Sequence, residues 1–229
     1  MKFRDEEELL EYAKGIIGKT FRELDDDGLL ENQQNKGVLG HVVEKGFFGY
    51  EPNSNPVADF EELGIELKVT GYVKNKNGKR RAKERLVLSM IDYKNIINET
   101  FDFSKLIFKN KKLLIIWYQY DKDLDGWADF EIKYVELYDM EEDIETFKKD
   151  FQDIQQKVQE GKAHELSEGA TKYLGACTKS STSKVRREQP NSDIPAKPRA
   201  FSLKNQYMNK VLNEIDFDEQ KKWRKKNKE

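Results

Sequence analysis

The stretch Pro56-Val57-Ala58-Asp59-Phe60-Glu61-Glu62-Leu63-Gly64-Ile65-Glu66-Leu67-Lys68 decides how the rest of the chain is read. From Ile65 onward apolar and polar residues alternate, the pattern of a strand whose successive side chains point to opposite faces. Glu66 and Lys68 then share one face, while Ile65, Leu67 and Val69 pack the other. Asp59 lies just upstream, and Gly64 lets the chain turn so that Asp59 comes back beside Glu66. Two carboxylates with an ammonium beside them form a set suited to phosphodiester hydrolysis. Carboxylates hold a hard divalent cation, which polarises the phosphate and lowers the pKa of a bound water. A neighbouring Lys orients the attacking water and offsets developing charge. The same three residues also suit a solvated strand with an i,i+2 charge pair, so spacing alone leaves both readings open.

Working outward, residues 5–17 carry Leu9, Leu10, Ala13, Ile16 and Ile17 at helical spacing, with acids in the first turn. Residues 37–48 also read as helical, with Val38, Val42 and Val43 near one face. A turn-rich loop at 52–56 leads into the strand at 65–72. Asn75, Asn77 and Gly78 mark a hairpin turn to a second strand at 85–91. The continuous apolar run 113–120 signals a buried strand, and 132–137 a fourth. Residues 143–159 form an amphipathic helix through Ile144, Phe147, Phe151, Ile154 and Val158. Residues 166–174 suggest a short helix, 176–198 a loop, 201–203 a short strand and 206–215 a closing helix. The fold class is mixed α/β: a central mixed sheet flanked by helices, in one domain.

The formal charge of −2 averages two unlike segments. Residues 1–160 hold 34 acids against 25 bases, whereas residues 161–229 hold nine against 16, and this basic third points to a polyanion partner. The longest apolar run, 113–118, is far short of the ~20 residues a membrane span needs, so no membrane partner is expected. No charged-then-apolar leader opens the chain. The single Cys177 cannot make an internal disulfide, which fits a reducing, cytoplasmic location.

Lys36-Gly37-Val38-Leu39-Gly40-His41-Val42-Val43-Glu44 precedes the Asp59–Lys68 stretch by a short loop. Here the chain resembles the MutH-like endonuclease family, whose hallmark is a Lys-Gly-x-x-Gly-x-x-x-Glu helix followed by an Asp-x6-Glu-x-Lys strand. The segments 83–88, 161–169 and 197–204 are similar to the Sau-type branch, the type II restriction endonucleases that cut GATC. The likeness runs from about residue 5 to 215. It implies a restriction-endonuclease-like fold with two arms gripping double-stranded DNA in a cleft, and Mg²⁺-dependent cleavage 5′ of the G in GATC. By motif, Asp59, Glu66 and Glu44 would be metal ligands and catalytic acids, Lys68 the water-positioning cation, and Lys36 a DNA contact. A further active-site Lys precedes a buried strand in the family; Lys109 matches best, with Lys111 and Lys112 close by.

The resemblance also places a base-reading loop at Thr178, Lys179, Ser180 and Ser181. The repair members of the family have Arg-Pro-Lys there, and only Lys179 lines up. Arg186, Arg187, Lys197, Arg199 and Lys204 are candidate phosphate contacts, which position a protein without reading sequence. The repair nickases place a Tyr after the Phe of the last strand, where it senses the adenine N6-methyl group. Ser202 stands there here, which implies cleavage insensitive to adenine methylation. Sau-type enzymes also carry a second, MutH-like C-terminal half without catalytic residues. The expected layout is therefore an endonuclease domain over 1–215, with 216–229 a basic tail or the start of a linker. A second copy or such a C-terminal half is an expected partner. A repair nickase and a non-cleaving DNA-binding module are the rival readings.

Two other clusters carry little. Asp121, Asp123, Asp125, Gly126 and Asp129 imitate an EF-hand loop, but its twelfth position is Ile132 instead of a bidentate Glu. Cys177 and His164 lack a third group to orient them as a nucleophilic pair.

Overall fold

The computed structural model describes residues 2–31, 37–51 and 57–226. In chain order they form α1 (Glu6–Lys14), α2 (Val38–Gly46), β1 (Ile65–Lys74), β2 (Arg80–Ala82) and β3 (Leu86–Met90). There follow α3 (Tyr93–Ile96), α4 (Lys105–Asn110), β4 (Lys112–Gln119), β5 (Ile132–Asp139) and α5 (Ile144–Gln159). The chain ends with β6 (Leu174–Thr178), β7 (Arg187–Gln189), β8 (Ser192–Ala196), β9 (Arg199–Leu203), α6 (Asn205–Glu214) and α7 (Phe217–Lys226). The architecture is mixed α/β, as the hydrophobic periodicities require.

These elements sort into two compact units made of discontinuous stretches. The first comprises Met1–Glu84, Leu113–Tyr138 and Asn209–Glu229; the second comprises Arg85–Lys112 and Asp139–Met208. The first unit is built on a four-stranded sheet in the order β2-β1-β4-β5. Its centre is the apolar run Leu113–Trp117 of β4, in which every side chain is fully buried. Leu9 and Ala13 of α1 and Val38, Leu39, Val42 and Val43 of α2 pack with Ile65 and Leu67 of β1 into one core. Their i, i+3/i+4 spacing makes each helix a one-sided apolar stripe that only a partner surface can cover.

The second unit is built on the sheet β3-β9-β6, with β9 antiparallel to both neighbours, and a β7-β8 hairpin. The buried face of α5 carries Phe147, Phe151, Ile154 and Val158, and Phe151 stacks on Phe201 of β9. Asp150, fully enclosed on the same helix, accepts the N–H groups of Lys172, Tyr173 and Leu174 at 2.6–2.8 Å. Those three bonds fix where β6 begins.

Three expectations change here. The hairpin partner of β1 is the short β2, pairing Tyr72 with Ala82 and Lys74 with Arg80, while the strand at 86–90 pairs with β9 in the other sheet. Residues 166–174 contain only a single 3₁₀ turn, Glu168–Ala170, before β6. The supposed loop 176–198 contains most of β6 and both strands of the β7-β8 hairpin. Strand content in these places comes from pairing with distant segments, which local alternation does not report.

Among the described residues no helix is long and apolar enough to cross a membrane.

Candidate active site

The first unit holds the carboxylate cluster. The 3₁₀ turn Glu61–Leu63 is closed by Gly64 at φ 64°, a left-handed conformation that a side chain would strain. The turn makes Phe60 and Ile65 a two-residue bridge, with Phe60 N–H donating to the Ile65 carbonyl at 2.9 Å. Asp59 is thereby folded back along β1, and its Oδ2 accepts the Leu67 N–H at 2.9 Å. Leu67 stands between Glu66 and Lys68, so one carboxylate is tied to the backbone between the other two groups.

Glu66 is 4% exposed, and Lys68 Nζ donates to its Oε1 at 2.6 Å. A charge pair this deep is not a solvated surface pair, because burying a carboxylate needs compensation by charge and hydrogen bonds. Burial and the negative charge of Glu66 raise the pKa of Asp59 to about 6, against the lowering effects of the Leu67 N–H and Lys68; Glu44 raises it further. Glu44 comes from α2, whose buried Val43 and Leu39 hold that helix on the core.

Among the described residues no three His, Cys, Asp or Glu side chains converge closely enough to hold an ion unaided. Two neighbouring carboxylates, Asp59 and Glu66, could serve as donors, with Glu44 contributing charge. That set suits Mg²⁺, a hard cation that keeps several waters and takes one or two carboxylates together with substrate phosphate. It does not suit Zn²⁺, which prefers Cys and His ligands.

Tyr50 belongs to this site and has no sequence signal of its own. Beyond α2, Gly49 at φ 69° reverses the chain, and the Tyr50 N–H donates to the Glu44 carbonyl at 3.1 Å. Burial, then the charges of Asp59, Glu44 and Glu66, push its pKa upward. Lys36, the expected DNA contact before α2, lies outside the described residues.

The remaining candidates belong to the second unit. Lys109 lies in the last turn of α4. Its neighbours are bound to acids, Lys111 to Glu141 at 2.8 Å and Lys112 to Asp139 at 3.9 Å. Lys179, Arg186 and Arg187 are exposed around the end of β6 and the start of β7, and Lys197 is exposed before β9. Arg199 is half-buried and donates from Nη1 to the Ala176 carbonyl at 3.1 Å. Lys204 reaches the Thr171 carbonyl at 2.5 Å.

Ser202 is fully buried on β9, and its hydroxyl donates to Glu168 Oε1 at 3.2 Å. The same oxygen accepts Arg85 Nε at 2.9 Å. Glu168 lies over Gly175, where a Cβ would come 3.2 Å from its Cγ. Arg85 and Glu168 are thus built into the place next to Ser202, and neither is distinguished by spacing in the sequence.

The two minor clusters resolve into ordinary structure. Asp129 forms a two-pronged pair with Arg22, at 2.8 and 2.9 Å. Cys177 is buried on β6, and His164 Nδ1 is hydrogen-bonded to Gln189 at 3.0 Å.

Residues 48–150 match the sequence model of a family described as DNA mismatch repair enzyme MutH. The chain is 42% identical over 214 residues to the type II restriction enzyme Sau3AI of Staphylococcus aureus, a match covering 91% of this chain and 42% of that enzyme. It is 26% identical over 220 residues to the DNA mismatch repair protein MutH of Vibrio campbellii, covering 91% and 93% respectively. Against MutH of Actinobacillus pleuropneumoniae the identity is 27% over 217 residues, covering 90% and 92%. The chain thus spans less than half the length of the restriction enzyme and nearly all of the MutH proteins.

Proposed function

The chain belongs to the MutH-like family, and from that premise we propose that it is a type II site-specific deoxyribonuclease. It would hydrolyse double-stranded DNA 5′ of the G in GATC, with Mg²⁺ as cofactor, in the cytoplasm. The observation that carries this reading is the Asp59–Glu66–Lys68 arrangement, in which Glu66 is buried and the other two are half-buried, with Asp59 bonded to the Leu67 N–H and Lys68 to Glu66. Asp59 and Glu66 would hold the cation, and Glu44 would tune the site from α2. When bound, Mg²⁺ supplies Lewis acidity to the scissile phosphate and a more acidic water. The Lys68 side chain, bonded to Glu66 at 2.6 Å, would orient the nucleophile and offset charge in the transition state. Lys109 would add a second cation. Lys36, Lys179, Arg186, Arg187, Lys197, Arg199 and Lys204 would contact DNA.

Higher identity to the restriction enzyme than to the MutH proteins favours cutting over nicking. The burial of Ser202 against Glu168 favours indifference to adenine methylation, since no aromatic ring is presented from that position. The nicking alternative has one observation in its favour: the likeness to MutH of Vibrio campbellii, at 26% identity, runs over 93% of that protein. Residues 1–215 would form the endonuclease domain and 216–229 a basic tail or the start of a linker, and a second copy or a MutH-like C-terminal half would be a partner.

The test is digestion of plasmid and short duplexes with Mg²⁺, sequencing the ends. Both strands cut 5′ of G, equally on unmethylated and N6-methylated GATC, is the expected result. A Glu66→Ala protein that still cuts refutes the site, and strong preference for one methylation state refutes the role of Ser202. Single-strand nicks alone would establish the nicking alternative.

A further inference from the structure

Tyr50 has no part in the cleavage scheme above, yet the fold delivers it to the carboxylate cluster. Its backbone is tied to Glu44 by the 3.1 Å hydrogen bond. Its ring meets Phe60 edge-on, with centroids 6.2 Å apart at 87°, and Phe48 at 6.3 Å. Phe60 is the neighbour of Asp59 and the partner of Ile65, so the ring is held against the segment that carries both proposed ligands. Tyr50 and Asp59 line the same cavity, together with Phe60 and Lys2.

The Tyr50 hydroxyl is buried and has no hydrogen-bond partner among the described residues. Buried polar groups are nearly always paired, so an unpaired one next to a ligand-binding cluster points to something the cluster takes up. A phenol that keeps its proton offers lone pairs as an acceptor. Water on a divalent cation is a strengthened donor, and Mg²⁺ gives up its waters reluctantly.

We propose that Tyr50 is a positioning residue for the cation: its hydroxyl oxygen accepts a hydrogen bond from the hydration shell of the ion held by Asp59 and Glu66. The proposal rests on the reading of Asp59 and Glu66 as a cation site. Groups in this supporting position affect metal affinity because they fix the orientation of what the ion carries.

The test is titration of the full chain with Mn²⁺, followed by electron paramagnetic resonance, for wild type, Tyr50→Phe and Asp59→Asn. Thermal unfolding of each protein without metal runs alongside. Tyr50→Phe is expected to weaken Mn²⁺ binding about 10-fold, with its metal-free unfolding midpoint unchanged or raised. Asp59→Asn is expected to abolish binding. Equal Mn²⁺ affinity in Tyr50→Phe and wild type overturns the role of Tyr50. A lowered metal-free midpoint for Tyr50→Phe overturns it too, because the hydroxyl would then be satisfied within the protein. Wild type that binds no Mn²⁺, or binding indifferent to Asp59→Asn, overturns the cation-site reading itself.

Discussion

Glu66 is a buried carboxylate and Glu136 a half-buried one in the same unit, with opposite compensation. Glu66 has the Lys68 ammonium at 2.6 Å. Glu136, on β5, accepts the Trp117 Nε1–H at 2.8 Å and feels the added negative charge of Glu214. Burial therefore dominates and raises the pKa of Glu136 to about 8, while the Trp117 bond lowers it only in part. An acid with a raised native pKa binds more protons folded than unfolded between its unfolded value of 4.5 and 8. The stability it contributes is complete below pH 4.5 and is lost as pH climbs through 8. Glu136→Gln is expected to stabilise the protein at pH 8.5 and to flatten the pH dependence between 5 and 8, both measured by urea denaturation. An unchanged slope would show that Glu136 is ionised in the native state. Alternation along 132–137 places Glu136 on one face of its strand, but nothing local distinguishes it from a solvated acid. Its environment is made by β4 and α6, remote in sequence.

At the scale of elements, α2 illustrates how a site depends on close packing. Gly46 ends this helix, and a Cβ there would lie 1.8 Å from the Leu24 carbonyl oxygen. No rotamer relieves a clash with backbone, so the helix end must move, and Glu44 and Tyr50 move with it. Gly46→Ala is expected to cost about 2–3 kcal/mol of unfolding free energy and to reduce cleavage beyond the loss of folded protein. The checks are chemical denaturation and activity normalised to the folded fraction. The helix itself is legible from Val38, Val42 and Val43, and β4 from its unbroken apolar run. What was not legible is β6. Gly175, Ala176 and Cys177 are small and weakly strand-forming, and their extended conformation is imposed by five register pairs with β9 and by the Asp150 carboxylate. The assignment of β2, and not β3, to β1 is likewise a pairing outcome, since both segments lie within reach of the turn at 75–78.

For the molecule as a whole, the Lys-rich stretch 217–226 is part of the described structure. It forms α7, whose Gln220 side chain accepts the Val135 N–H and donates to the Val135 carbonyl, covering β5, the outer strand of its sheet. Trp223 Nε1 also donates to Glu11 at 2.8 Å. In the second unit Arg186 and Arg187 are exposed. Replacing both with Ala is expected to weaken binding alike for GATC and unrelated duplexes. It should also make the log–log salt dependence shallower by about 0.9 for each phosphate that is no longer neutralised. Selective weakening for GATC would instead make these arginines base readers. By itself the sequence determined the mixed α/β class, the principal helices and the buried strand, which follow from periodicity that short stretches encode; Glu44, Asp59, Glu66 and Lys68 stood out as candidates through the ordered motifs shared with the MutH-like family. The tertiary structure alone decided that the chain divides into two discontinuous units, that Glu66 is buried, that Ser202 faces Glu168, and that Tyr50 lies among the carboxylates. Burial and convergence are properties of contacts between distant segments, and side-chain identity at one position does not specify them.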